Sequence, residues 1–467
     1  RYDLVQKGTA HLSNVVLHKT GNYLISNATF PSYFLKDADA MPGNNQALSR
    51  RRTIQPCNRR GTISASKEEI AVKLADRLHF LGTENAFEVL AQVNKLKEQG
   101  RDIISFAIGE PDFDTPDNIK QACIKAIEAN HTHYTPSAGI LPLRETIAAY
   151  IAKTRCIPVS ADEVIVTPGG KPIMYYVIHA LINPGDEVLY PNPGFPIYES
   201  VINFVGGKPV PVPLLEEKDF SLDTDYLKSL VTPKTKLIIL NSPQNPTGGM
   251  LTKADINAIA QIAIENDLWV LSDEIYSRMI YSGEFLSISS LPGMKERTII
   301  LDGFSKTYAM TGWRLGYGVM PVELAGWIAR LITNCESCTN SFIQYAAIEA
   351  LTGSQESAAA MVKEFEARRD LIVEGLNNIK GFSCKVPNGA FYAFPNVTEA
   401  CRNLGLAGSK QLQQHILHQG SVAVLPRTAF GVKNAGETDE YLRFSYANSQ
   451  TNIIEGLKRI KVVIEKG

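Results

Sequence analysis

Residues 236–278 read KLIILNSPQNPTGGMLTKADINAIAQIAIENDLWVLSDEIYSR. The stretch opens on an apolar, β-branched run, KLIILNSP (236–243), and closes on another, LWVLSDE (268–274). Between them Thr252–Asn266 has apolar residues at helical spacing. Strand, helix, strand in that order predicts two parallel strands joined by a helical crossover. Both runs are apolar throughout rather than alternating, so each strand is expected to be covered on both faces.

The alternation continues outward. Strand-like runs occupy 103–109, 163–169, 186–191 and 298–305, with helical stretches at Pro116–Asn130, Leu141–Thr154 and Lys171–Ile182. Upstream, Glu68–Gly100 has helical spacing and stops at a glycine. After about Ala309 the pattern turns to long helices, Pro321–Thr333, Gln344–Leu351 and Ser357–Asn377, then to a short α+β region. An α/β fold is expected: a large domain over about 117–350, with a mostly parallel sheet sandwiched by helices, and a smaller α+β domain built from about 67–116 and 351–467.

Composition agrees and excludes some functions. A chain of 467 residues exceeds the roughly 250–300 at which one core stops growing. Lys and Arg total 47 against 48 Asp and Glu, a net charge of −1, so no basic field points to nucleic acid. No apolar run approaches the roughly 20 residues of a spanning helix, and no membrane association is expected. Seven cysteines, irregularly placed, do not make a disulfide scaffold. The one CxxC, Cys335 and Cys338, lacks the second pair of a zinc site, so no metal is expected. Cysteine usage fits a reducing, cytoplasmic setting. Residues 1–66 stand apart: Met41–Ser66 holds Arg50, Arg51, Arg52, Arg59 and Arg60 and no acid. That composition fits either a disordered leader or a transit segment, the latter implying an organelle matrix.

Ligands of such sheets bind where loops leave the carboxyl ends of the strands, and chemically capable residues fall there. Lys306, in LDGFSKTYAMTGWRLGYG (301–318), is a lysine that could form an imine, with Arg314 downstream as a phosphate fork; a solvated surface lysine satisfies the same residues. Asp273 ends the apolar run 268–272. A buried carboxylate there needs a cation, and the protonated pyridine nitrogen of pyridoxal phosphate is one, with Tyr276 donating to the ring's phenolic oxygen. Asp273 as a helix N-cap is the alternative. TPGGK (167–171) presents backbone N–H groups and a helix N-terminus to a phosphate. Asn245 in NSPQNPTGG is held by prolines to bond a ring oxygen, or is part of a simple turn. Arg443 in YLRFSYANS offers a carboxylate fork, or a surface ion pair.

Taken in order, these blocks carry a resemblance. With IGEPDFDTP (108–116), HYTPSAG (133–139), NPGFPIY (192–198), SDEIY (272–276), NGAFYAF (388–394) and LRFSYANS (442–449), the chain from about Thr83 to Lys461 resembles the fold-type I pyridoxal-phosphate aminotransferases of the class I, aspartate-aminotransferase-like group. The resemblance implies pyridoxal 5'-phosphate as cofactor and Lys306 as the Schiff-base lysine and proton shuttle. Asp273 would hold the pyridine nitrogen protonated, with Tyr276 and Asn245 on the phenolic oxygen. Gly169, Gly170, Lys171, Ser305 and Arg314 would form the phosphate cup, and Phe195 would stack on the ring. Tyr134 would reach the phosphate of a neighbouring subunit, implying a homodimer. Gly109 and Arg443, with Phe195 and Asn245, would bind the substrate.

The implied reaction moves an amino group from an L-amino acid to a 2-oxo acid by ping-pong kinetics, with aspartate, alanine or an aromatic amino acid as donor and 2-oxoglutarate as acceptor. A lyase or synthase on the same fold would use the same cup. A transcription regulator would need a winged helix that 1–66 does not offer, and a non-catalytic relic would not keep Lys306, Asp273 and Arg443. Two departures bear on specificity and on the loop near the site. GTENAFEVL (82–90) places Ala86 and Phe87 where dicarboxylate-specific members carry polar contacts, while Lys171 is available to a distal carboxylate. Arg427, in VAVLPRTAFG (422–431), stands where relatives usually have Gly; it would strain the loop if φ is positive there, and otherwise be a tolerated surface change.

Overall fold

The computed structural model describes residues 73–83 and 85–466. The leader or transit segment expected over 1–66 lies outside the described residues. Val72–Gly467 form one compact unit.

The first strand, β1 (Ile104–Ser105), is short. The central sheet then takes β2 (Val164–Thr167), β3 (Glu187–Asn192), β4 (Lys208–Leu215), β5 (Ser221–Leu222), β6 (Thr235–Asn241), β7 (Trp269–Asp273), β8 (Thr298–Gly303) and β9 (Gly316–Val319). Its spatial order is β2-β9-β8-β7-β6-β3-β4-β5. The pairs β4·β3, β3·β6, β6·β7 and β7·β8 are parallel, while β9 runs antiparallel to both its neighbours and β5 is antiparallel to β4. The mostly parallel sheet is therefore present, with two reversed strands: β9, where the chain doubles back from β8 through the loop holding Lys306, and β5 at the edge.

Alternate residues of each strand enter different cores, as a pleat requires. Ile165, Leu237, Ile239, Leu271, Ile299 and Leu301 pack with the helices Lys171–Leu181, Ile197–Phe204 and Val322–Cys335. On the opposite face, Val164, Val166 and Ile300 pack with Leu141–Arg155 and Ser341–Thr352. Ile238, Leu240 and Val270 pack there with Lys253–Glu265. Helices thus cover both faces, the reason the strands read as unbroken apolar runs.

Two small sheets come from the remaining sequence. Strand β1 pairs in parallel with β11 (Val422–Ala423). The second is ordered β10 (Tyr392–Ala393), β13 (Leu442–Ser445), β12 (Leu425–Pro426), all antiparallel. Two expectations need correcting. The run 103–109 gives only the two residues of β1, because the strand it pairs with among the described residues, β11, is equally short. Among the described residues of 68–100 the α-helix is Asn85–Glu98, preceded by a 3-10 turn at Asp76–Phe80. Between them Leu81 is extended and the Gly82 N–H donates to Ser200 Oγ at 2.9 Å, which takes the chain out of helical geometry.

Candidate active site

At the carboxyl edge of the sheet lies a cavity of about 480 Å³, whose walls include Gly109, Gly170, Lys171, Phe195, Asn245 and Asp273, together with Tyr276, Ser305, Lys306, Arg314 and Arg443. Residues spread over more than 300 positions of sequence are brought together because β3, β6, β7 and β8 run in the same direction and end at one edge.

At one end of the cavity is an anion cradle. Gly170 caps the helix Lys171–Leu181, so its first N–H groups and positive dipole end face the cavity. Gly169 does not itself line the cavity, but it sets the turn: φ is +94°, and a Cβ there would come within 2.4 Å of Arg314 Nη2. Arg314 Nη1 donates to Thr311 O at 2.9 Å, which aims the guanidinium into the cradle from the facing loop. Ser305 is buried beside it.

Asp273 ends β7 with its carboxylate buried. Tyr198 OH donates to Oδ2 at 2.6 Å and the Ile275 N–H to Oδ1 at 3.3 Å. Burial pushes the carboxyl up to about 6, opposed by the Tyr198 and Ile275 hydrogen bonds and reinforced by neighbouring Glu274. The Asn241 side chain donates to the Asp273 carbonyl at 3.1 Å and its Oδ1 accepts the Asn245 N–H at 2.9 Å, so one residue fixes two others. Asp273 is not a helix N-cap, since the residues directly after it, 274–278, form a turn rather than a helix.

Lys306 Nζ donates to Gly109 O at 2.5 Å. Tyr276 OH is 2.7 Å from Tyr392 OH, and burial holds the Tyr276 phenol well above its ordinary range. Arg443 Nη1 donates to Asn245 Oδ1 at 3.0 Å and Nη2 to Ala107 O, and the guanidinium lies over the rings of Tyr392 and Phe430. Gly109 needs its missing side chain: a Cβ there would sit 2.1 Å from Tyr392 OH. Lys171 Nζ is 5.3 Å from the Phe195 ring centre and 5.9 Å from that of Phe87. Ala86 and Phe87 do line the cavity, as their position suggested.

Tyr134, unlike Gly169, which at least sets the turn of the cradle, stands apart from the other expected residues. It is 89% exposed and is not part of the cavity wall. Sequence reasoning missed Asn241, Tyr198, Tyr392 and Phe430. The first three lie inside the motif blocks NSPQNPTG, NPGFPIY and NGAFYAF, and Phe430 inside VAVLPRTAFG; their roles depend on contacts between blocks. Arg427 is corrected: it lies outside the left-handed region and is fully buried, neither strained nor on the surface.

These groups suit pyridoxal 5'-phosphate. A glycine-lined cradle with a helix N-terminus and a guanidinium matches the phosphate, and the buried Asp273 calls for a cation of the kind a protonated pyridine nitrogen provides. An amine on Lys306 and a carboxylate fork on Arg443 complete the equipment of an enzyme acting on amino acids through that cofactor.

The comparisons specify the class. The family model for aminotransferase class I and II matches residues 101–460, and the chain belongs to that family. It is a pyridoxal 5'-phosphate-dependent aminotransferase, acting on an amino acid and a 2-oxo acid. A second model, the citrate lyase ligase C-terminal domain, matches residues 1–99, most of which lie outside the described residues. The chain is 40% identical to the probable aspartate/prephenate aminotransferase of Aquifex aeolicus over 84% of this chain and 99% of that one. It is 39% identical to aromatic-amino-acid aminotransferase 2 of Thermococcus litoralis, over 84% and 98%. Among solved structures, aspartate aminotransferase from Thermus thermophilus with maleate superposes with a TM-score of 0.78 at 34% identity, covering 84% of this chain and all of that one.

Proposed function

We propose that this aminotransferase accepts both aspartate and aromatic L-amino acids as donors, with 2-oxoglutarate as acceptor, and works as a homodimer. The carrying observation is Lys171 Nζ against the rings of Phe195 and Phe87. A distal carboxylate is met by the ammonium, and an aromatic side chain by the ring faces. Alanine fits the same site but uses neither contact. Relatives named for aspartate, for aspartate/prephenate and for aromatic amino acids support this reading.

The fork of Arg443, fixed by Asn245 and Ala107 O, grips the donor's α-carboxylate. When bound, pyridoxal phosphate supplies an electron-withdrawing ring that makes the donor's Cα proton acidic. Asp273, with a carboxyl at about 6, is ionised at neutral pH and would hold the cofactor's ring nitrogen in its protonated, electron-withdrawing form. Lys306 Nζ is placed to take the proton from the donor's Cα as general base and, as general acid, would deliver it to the cofactor carbon that receives the amino group. Tyr276, protonated because its phenol is held high, would donate to the cofactor's phenolic oxygen alongside Asn245. Gly169, Gly170, Ser305 and Arg314 would hold the phosphate and Phe195 would cover the ring, with Tyr134 serving the phosphate of the other subunit.

The test is a half-reaction: the purified holoenzyme with single amino acids and no acceptor. Aspartate and an aromatic donor should each release about one equivalent of 2-oxo acid per site. Lys171→Met should raise KM for aspartate by ~30- to 100-fold, the worth of a charge-assisted hydrogen bond, and change it by less than about threefold for the aromatic donor. Release of ammonia in place of the oxo acid, or equal losses for both donors, would sink the proposal.

A further inference from the structure

Behind the substrate end of the cavity lies a second buried cation, Arg427, which follows β12 and has no exposed side-chain surface. Its Nε donates to Glu437 Oε1 at 2.6 Å and its Nη2 to Glu437 Oε2 at 2.8 Å, a two-pronged ion pair. Nη2 also reaches Asn192 Oδ1 at 3.1 Å, and Nη1 reaches Gly431 O at 3.2 Å. Asn192 is the last residue of β3. Its Nδ2 donates back to Val432 O at 2.7 Å and to Asn434 Oδ1 at 2.9 Å, and Asn434 in turn donates to Glu437 Oε2 through both its side chain and its backbone N–H. The segment 427–437 is thereby laced to the end of a central strand more than 200 residues away in sequence.

A fully buried guanidinium is costly to desolvate, and a loop that had only to fill space would do better with an apolar residue. What this one fixes is a distance. Three residues after Asn192 comes Phe195, and three after Arg427 comes Phe430; both line the cavity. The Gly194 N–H donates to Phe430 O at 3.0 Å, so the two segments also touch through backbone beside the aromatic pair. Phe430 carries the Arg443 guanidinium over its ring at 5.0 Å, and β12 pairs Leu425 directly with Arg443. By contrast Asp273 ends β7 and Lys306 lies in the loop after β8, and the hydrogen bonds of Arg427 go to Glu437, Gly431 and Asn192 rather than to either strand.

We propose that Arg427 is a positioning residue for the amino acid substrate: through Glu437 and Asn192 it sets the spacing between Phe195 and Phe430, and with it the fit of bulky donors under Arg443. It acts through these rings and touches no reacting atom. The proposal rests on Arg443 being the carboxylate grip.

Two variants test it. Arg427→Met with Glu437→Gln removes the clasp without leaving a buried charge unpaired; Arg427→Lys keeps a charge for Glu437 but not the fork that also reaches Asn192, and carries the test alone should the double variant not fold. In either, the KM for an aromatic donor should rise about tenfold and that for alanine by less than about threefold, with kcat within about twofold of the parent. Amide hydrogen exchange over 427–437 in the enzyme stripped of cofactor should speed up by at least ~10-fold while that of β7 and β8 does not change. Unchanged KM values with a loosened segment, or a fall in kcat matching the rise in KM, would overturn the proposal. Arg443→Lys, run alongside, separates the two readings: if it keeps its affinity for both donors, the carboxylate grip is misassigned, whatever the clasp does.

Discussion

Asp273 combines a buried position with a charge that the chemistry needs, and its ionisation couples the site to pH. Its carboxyl is raised to about 6 by burial, against an ordinary value near 3.9 in an unfolded chain. Without cofactor, the folded chain holds this proton between about pH 4 and 6 while the unfolded chain has lost it, so the group's contribution to stability falls as pH rises through that window. Asp302, also raised to about 6 by burial, adds a term of the same sign. Cofactor binding reverses the preference, because a cationic ring nitrogen favours the carboxylate. Affinity for pyridoxal phosphate should therefore fall by about tenfold more in the parent than in Asp273→Asn when pH drops from 7 to 5, as read by calorimetric titration of the stripped protein. Identical pH slopes in the two proteins would show that Asp273 does not face the ring nitrogen; the variant comparison cancels the titration of the cofactor's phosphate, which Asp273 does not touch.

The strands that carry Asp273 and Lys306 are fixed from behind by one side chain. Arg155, the last residue of the helix Leu141–Arg155, donates to Glu274 at 2.7 Å, to Ser277 at 2.8 Å and to Asp302 at 3.1 Å, all buried. Glu274 follows Asp273 directly, and Asp302 lies on β8 four residues before Lys306. Arg155→Met would leave two carboxylates without a cation and should lower the free energy of unfolding by about 3–5 kcal/mol. The loss should be larger at pH 8 than at pH 5, since protonation of Asp302 relieves the repulsion. Denaturant melts at both pH values check this, and a loss under about 1 kcal/mol would mean water screens the cluster. Arg155 went unread because nothing local in AYIAKTRCIP separates a buried helix-end arginine from a solvated one. The same limit hid the fork of Arg427, whose partners Glu437 and Asn192 lie far apart in sequence. Strands were legible where both faces are buried, as in 236–240 and 298–302. They were not legible where prolines or glycines replace branched residues, as in β4 (KPVPVPLL) and β9 (GYGV), which only sheet neighbours hold in place. Most of the cavity wall was legible for another reason: short motifs at strand ends keep their local order, and the parallel sheet does the gathering.

At the scale of the whole molecule the open question is Tyr134. It is expected at the phosphate, yet it is 89% exposed and stands outside the cavity of its own chain. The loop that bears it is not loose: the Thr135 N–H meets Cys338 Sγ at 3.5 Å, and Ser137 Oγ donates to Ser337 O at 2.7 Å. An exposed tyrosine on a hydrogen-bonded loop, outside the cavity of its own chain, is what a residue serving a second subunit requires, and a two-fold dimer would exchange the pair reciprocally. Hybrid dimers distinguish the arrangements. Let one subunit carry Lys306→Ala and the other Tyr134→Ala, with the hybrid isolated through two different tags. If Tyr134 acts across the interface, the subunit that keeps Lys306 receives an intact tyrosine from its partner, and one of the two sites is whole. The hybrid should then recover about half the parent's activity and about half its cofactor-bound absorbance, well above either parental variant. If Tyr134 serves its own chain, the site with Lys306 has lost its tyrosine and the other has lost its lysine. The hybrid would then show no more than half the activity of the Tyr134→Ala homodimer, and the shared-site dimer would be excluded.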